Sequence, residues 1–204
     1  DTMLGYVGDS MDRGGNIAES WDVSSDMKTW TFKLRKGLTF HDGSALTAAD
    51  VAYSFSRLAR MKQRALGLTL GLIEADTAVA VDDHTVRFDL PDGKFYPFLP
   101  LLLTSTMGGG IVNSKLLEAN GGIVDGEANS YLVDNAAGSG PYSISNWEKG
   151  IHATLARFDD FYKGPAATKE LKFHELTESA TKIAMLKKGD LDIYVEFPPS
   201  RVAD

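Results

Sequence analysis

The 204-residue chain has no cysteine. That excludes disulfides, thiolate metal sites and a cysteine nucleophile. It fits a reduced cytosol and a bacterial cell-envelope protein equally. Positive charge is also short: 21 Lys and Arg stand against 28 Asp and Glu, a net charge of −7. Phosphate-rich partners select for a Lys and Arg surplus, so the balance argues against nucleic acid and anionic membrane surfaces. The most basic run, RLARMKQRA (57–65), lies beside apolar positions without interleaved aromatics. No apolar run reaches the ~18 residues of a membrane-spanning helix. FLPLLL (98–103) is short and carries a proline. Histidine is scarce and scattered, at positions 41, 84, 152 and 174. None falls in His-x-x-x-His or Glu-x-x-His spacing, so no metal and no cofactor is expected. Repeats and low-complexity tracts are missing, and no signal peptide is visible in these 204 residues. A start at Asp1 reads as a mature or trimmed chain.

What is present is a clear alternation of strand and helix signals. Trp30, Phe32 and Leu34 alternate with Thr31, Lys33 and Arg35, the period of a half-buried strand. Leu38 to Phe40 predicts a second short strand, and His41-Asp42-Gly43-Ser44 carries turn chemistry. Thr47 with Asp50 three residues on approximates a capping box, and Val51, Phe55 and Leu58 follow at helical spacing. Asp76 to Leu90 reads as a hairpin turned at Asp82-Asp83-His84. FYPFLPLLL (95–103) reads as a short buried helix, and NSKLLEANGG (113–122) as a helix closed by glycine. GSGPYSISNW (138–147) enters a strand that returns from His152 to Phe158, and Leu171 with Phe173 suggests another. Ala180, Ile183, Ala184 and Lys187 lie on one helix stopped by Gly189, and Leu191, Ile193 and Val195 alternate as a last strand. The order implies an α/β fold with mixed sheets.

The chemistry-bearing residues each have two readings. His41 beside Asp42 offers a base and an orienting acid, yet side chains of sequence neighbours diverge. No Gly-x-Ser-x-Gly completes a triad. A turn that opens a helix explains both residues. GSGPY lacks the spacing of a phosphate loop, and Pro141 removes an amide that such a loop would use. Asp159-Asp160 and Asp190/Asp192 offer carboxylate pairs for a hydrolase, or a solvated strand face. The three glycines of MGGGI (107–111) cost backbone entropy and need a reason. Close approach to a ligand, a hinge, or a crossing between subdomains each supplies one.

Several stretches together resemble one family. IAESWDVSSDMKTWTFKLRKGLTFHDGSALTAADVAYSFSRL (17–58) is similar to the signature region of the extracellular solute-binding proteins of ABC importers, in the peptide, dipeptide and nickel class (family 5). GSGPYSISNW, RFDDFYKGP (157–165) and ATKIAMLKKGDLDI (180–193) resemble later elements of that family in order and spacing, with Asp190 in place of the usual Glu. The resemblance implies a periplasmic-binding-protein-like (type II) lobe with a mixed sheet and an extra α+β subdomain. On its layout, residues 1–106 form the extra subdomain, residues 107–204 form the sheet subdomain lining the cleft, and the second lobe is absent. The chain is then a first-lobe fragment.

The resemblance further implies a non-enzymatic protein outside the cytoplasmic membrane, free in the periplasm or held by a lipid anchor. It would capture a small solute and deliver it to the transmembrane subunits of an ABC permease. A short peptide is the leading cargo, with nickel chelates and oligosaccharides known among relatives. Position in the family layout puts Arg60, Arg64, Thr106, Met107 and Gly108 towards the ligand. Arg60, Lys62 and Arg64 would then attract a carboxylate, against the plainer reading of a solvated basic helix end. The alternatives are a carboxylate-dependent hydrolase and a sensor or interaction domain reusing the fold.

Overall fold

The alternation of Trp30, Phe32 and Leu34 becomes the middle of a sheet. The structure is a computed structural model that describes residues 1–61, 71–105 and 108–195. The chain forms two compact units, the first from Asp1–Ser143 with Arg157–Ala167, the second from Ile144–Ala156 with Thr168 onward.

In the first unit, β1 (Leu4–Tyr6) pairs antiparallel with β2 (Arg13–Gly15). A four-stranded antiparallel sheet follows, built from β3 (Ala18–Val23), β4 (Thr29–Leu34), β5 (Ala78–Asp82) and β6 (Thr85–Asp89). Its strand order is β3-β4-β6-β5. Helix α1 (Ala48–Arg60) packs on β5 and β6. Phe88 of β6 takes Phe32 of β4 and Phe55 of α1 edge-on, at centroid distances of 5.6 and 5.0 Å. Such aromatic pairs add about 0.5–1.5 kcal/mol beyond the area they bury. Helix α2 (Leu99–Thr104), entered through a 3₁₀ turn at Tyr96–Phe98, buries Leu99, Leu102 and Leu103. Helix α3 (Ser114–Glu118) is capped by Asn113, whose side chain accepts the Leu116 amide.

One expected strand is replaced. Leu38 to Phe40 makes a single bridge, Thr39 to Ala45, because it pairs across the His41–Ser44 turn rather than along β4. The Phe40 amide donates to the Ser44 carbonyl and the Leu46 amide to the Leu38 carbonyl, both at 2.9 Å. Thr47 then starts α1, which leaves no length for a ladder.

The second unit carries a three-stranded sheet in the order β7-β8-β9 and one helix. Strand β7 (Tyr142–Glu148) begins in the first unit and β8 (His152–Arg157) ends there. Strand β9 (Glu170–His174) pairs antiparallel with β8. Helix α4 (Ser179–Lys188) stops at Gly189, which takes the left-handed φ of 85° that closes a helix without steric cost. The strand expected at Leu191, Ile193 and Val195 is not formed. Ile193 and Val195 are 76% and 72% exposed, and nothing among the described residues pairs with them. Alternation creates a strand only where a neighbouring chain completes its hydrogen bonds.

Candidate functional site

The residues that first suggested catalysis sit in a hydrogen-bonded network of the first unit. Asp50 is 3% exposed. Its Oδ2 accepts from the Thr47 amide at 2.8 Å and the Thr47 hydroxyl at 3.0 Å. Its Oδ1 accepts from the Ser114 amide at 3.1 Å and the Ser114 hydroxyl at 2.6 Å. Four donors thus satisfy a buried carboxylate that would otherwise be costly. The same carboxylate ties the start of α1 to the start of α3. Asn113, 2% exposed, donates to Asp42 Oδ2 and to the Ser44 hydroxyl, each at 2.9 Å. The Ser44 hydroxyl donates to Asp42 Oδ1 at 2.6 Å. That contact, with backbone amides and Asn113 adding to it, holds the Asp42 carboxyl below its usual range.

His41 turns elsewhere. Its Nε2 donates to the Gly140 carbonyl at 2.9 Å, and its ring meets Phe158 edge-on at 5.1 Å. Its backbone amide donates to the Gly138 carbonyl at 3.0 Å. Imidazole and neighbouring carboxylate therefore have separate partners, and the histidine fastens the turn to the GSGPY segment. Asn113, at the centre of this network, went unread in the sequence beyond its place at a helix start. Nothing in local spacing announces a contact to Asp42, 71 residues away.

The ligand-facing positions taken from the family layout divide. Arg64, Thr106 and Met107 lie outside the described residues. Arg60 ends α1 with its guanidinium 3.7 Å from the Asp125 carboxylate, and its carbonyl accepts the Gly126 amide at 2.8 Å. Gly108 is buried after α2, close to Gly110, which bridges to Thr2. Different elements hold the two. The middle glycine of the triplet has its own cause: a β-carbon at Gly109 would lie 2.6 Å from the Leu102 carbonyl oxygen.

One and two turns before Arg60, α1 carries two further polar groups, Arg57 and Tyr53. Arg57 has a buried Nε without a partner, and burial lowers its pKa from the usual value. The Tyr53 hydroxyl is pushed up to about 12, first by burial and then by the Glu118 carboxylate. Its oxygen makes no hydrogen bond of ordinary geometry. Spacing by four residues puts Tyr53 and Arg57 on one helix face.

The second unit holds a cavity of about 820 Å³. Leu171 and Phe173 of β9, Lys182 of α4, and Asp190, Asp192 and Ile193 border it. The volume is in the range of pockets for small solutes. Asp190 is engaged by Lys188 Nζ at 2.9 Å, as Asp159 is by Arg157 Nε at 2.6 Å.

Residues 14–204 match the family described as bacterial extracellular solute-binding proteins, family 5 middle. The chain is 33% identical over 190 residues to the probable D,D-dipeptide-binding periplasmic protein DdpA of Escherichia coli (strain K12), covering 93% of this chain and 35% of that protein. It superposes on the binding protein AgaA in complex with agropinic acid, from A. tumefacien R10, with a TM-score of 0.79 at 29% identity. That match covers 100% of this chain and 39% of AgaA. The binding protein MoaA in complex with mannopinic acid, from the same source, matches 94% of this chain and 37% of its own with a TM-score of 0.81 at 24% identity, a likeness of fold. The chain thus spans little more than a third of the length of these relatives.

Proposed function

This chain belongs to the bacterial extracellular solute-binding proteins of family 5, and on that premise we propose that the protein it represents captures a short peptide outside the cytoplasm and hands it to an ABC permease. The observation that carries the reading is the family match running unbroken over residues 14–204. The network around Asp50 and Asp42 supports it, since those carboxylates are occupied in holding turns and helices together. On this reading the protein turns over no substrate.

Residues 1–106 are the extra subdomain of the first lobe and residues 107–204 its sheet subdomain, facing a second lobe across the ligand. Arg60, Arg64, Thr106, Met107 and Gly108 face the solute, with the arginines towards its carboxylate. Closure of two lobes excludes water and strengthens each polar contact, so affinity belongs to the closed pair.

Calorimetry of the full-length protein against di- and tripeptides tests this. The expected result is saturable binding without hydrolysis, weakened at least tenfold in Arg64→Ala. The 204 residues alone hold the same peptide far more weakly. Peptide hydrolysis, or undiminished affinity in the isolated 204 residues, would overturn the reading.

A further inference from the structure

The second unit sets two of the four histidines against each other. β8 and β9 pair in a register that places His152 opposite His174. The Glu175 amide donates to the Ile151 carbonyl at 2.9 Å. Ile151 and Glu175 are therefore a hydrogen-bonded pair. The next pair, His152 and His174, is of the non-hydrogen-bonded kind, whose side chains lie closest, with Cα atoms about 4.5 Å apart. Both rings stand on one face, with centroids 6.3 Å apart and planes inclined at 41°.

The surroundings suit a cation. Glu148 Oε2 lies 3.8 Å from His152 Nδ1 and brings negative charge to the pair. Asn146 Nδ2 lies 3.2 Å from His152 Nε2, and as a donor it marks that nitrogen as the one with a lone pair. His152 is shielded, its side chain 15% exposed, while His174 is open to solvent. Lys172, two residues before His174 on the same face, works against a cation and keeps the affinity modest.

We propose that His152 and His174 together chelate a late first-row divalent metal ion, with Cu²⁺ held most tightly. Imidazole suits copper, zinc and nickel, and affinity peaks at copper along the divalent series. Metal–imidazole bonds are about 2.0–2.1 Å each, so nitrogens on two facing rings at this separation reach one ion with small side-chain rotations. The protein supplies two ligands. Among the described residues no group of three His, Cys, Asp or Glu is placed to hold a metal, so water completes the shell. The site is independent of the solute-binding reading, because facing residues of β8 and β9 within the second unit form it.

Titration of the 204-residue chain with CuCl₂, followed by calorimetry and electron paramagnetic resonance, decides it. One Cu²⁺ per chain is expected, with hyperfine splitting from two imidazole nitrogens. His174→Gln and His152→Gln each weaken binding at least tenfold, and His84→Gln leaves it unchanged. Should His152→Gln fail to fold by circular dichroism, the exposed His174→Gln still decides. Cu²⁺ also raises the melting temperature of the native chain and not of His174→Gln. Full affinity in His174→Gln, loss of affinity in His84→Gln, or no saturable binding would overturn the site.

Discussion

In the first unit Phe32, Phe55 and Phe88 are at most 1% exposed, and a charged group, Asp50, is buried at 3%. Among the described residues of the second unit the buried apolar side chain is Ile183, at 8%. Ile144, Trp147, Ile151, Phe173, Ile193 and Val195 there are between 44% and 76% exposed. The first unit closes a core from sheet and helices, and the buried side chains of Asp50 and Asn113 are hydrogen-bonded within it. The second is held by strand ladders and one helix, with much of its apolar surface facing water. Two kinds of stability follow. Opening the first unit means breaking a cooperative core, whereas opening the second exposes little that is not already exposed.

The largest effect should come from the aromatic centre of the first unit. Phe88→Ala removes the ring that both Phe32 and Phe55 meet edge-on. A loss of about 3–5 kcal/mol is expected in denaturant unfolding followed by tryptophan fluorescence. A loss under ~1 kcal/mol would show that the two units do not differ in the way described. Asp50→Ala comes next, at about 2 kcal/mol, because it leaves the Thr47 and Ser114 donors without their acceptor in a partly buried place. Asp50→Glu should not rescue it, since the longer side chain cannot keep four donors in register. Full rescue would mean that charge at the helix start, and not the link to Ser114, is what matters.

The same contrast governs how much of the molecule was legible in its sequence. Local rules were reliable wherever neighbours in sequence do the work. The period of Trp30, Phe32 and Leu34, the box of Thr47 and Asp50, and Gly189 as a helix stop all appear as read. Reading failed where the partner is distant or missing. Leu38 to Phe40 pairs across its own turn, and Leu191 to Val195 has the strand pattern without a strand to join among the described residues. The hairpin expected over Asp76 to Leu90 is formed, but the inner face of β5 is not where its valines point. Ala78 is the buried residue there, while the two valines are 39% and 55% exposed. The ties from Asn113 to Asp42 and from Asp50 to Ser114 are contacts between elements, which spacing within one element cannot encode. The ligand-facing places of Arg60 and Arg64 rest on family layout, not on a pattern with its own physics.

Acidification separates the two units more gently. The Asp42 carboxyl has a lowered pKa in the native state, chiefly through the Ser44 hydroxyl. Its contribution to stability is therefore fully present above the ordinary carboxyl value of about 3.9 and disappears as pH falls through the lowered native value. Stability measured from pH 6 down to pH 2 should fall in that window, and Asp42→Asn should flatten the fall. An unchanged acid limb in Asp42→Asn would assign the loss to other carboxyls, such as Asp26 and Asp82, which are lowered by their own hydroxyl partners.

The smallest effect is the sharpest test of the second unit. Phe173 is 55% exposed and Ile193 76% exposed, both beside the cavity along β9. Removing a side chain that already faces water costs little transfer energy, so Phe173→Ser and Ile193→Ser should each change stability by no more than about 0.5 kcal/mol. Both should also make the 204-residue chain less prone to associate, because contiguous apolar surface is what drives association. Sedimentation against concentration measures the second effect while chemical unfolding measures the first. A cost above ~2 kcal/mol for either substitution would mean that these side chains are packed in solution, and the contrast between a closed first unit and an open second one would fall.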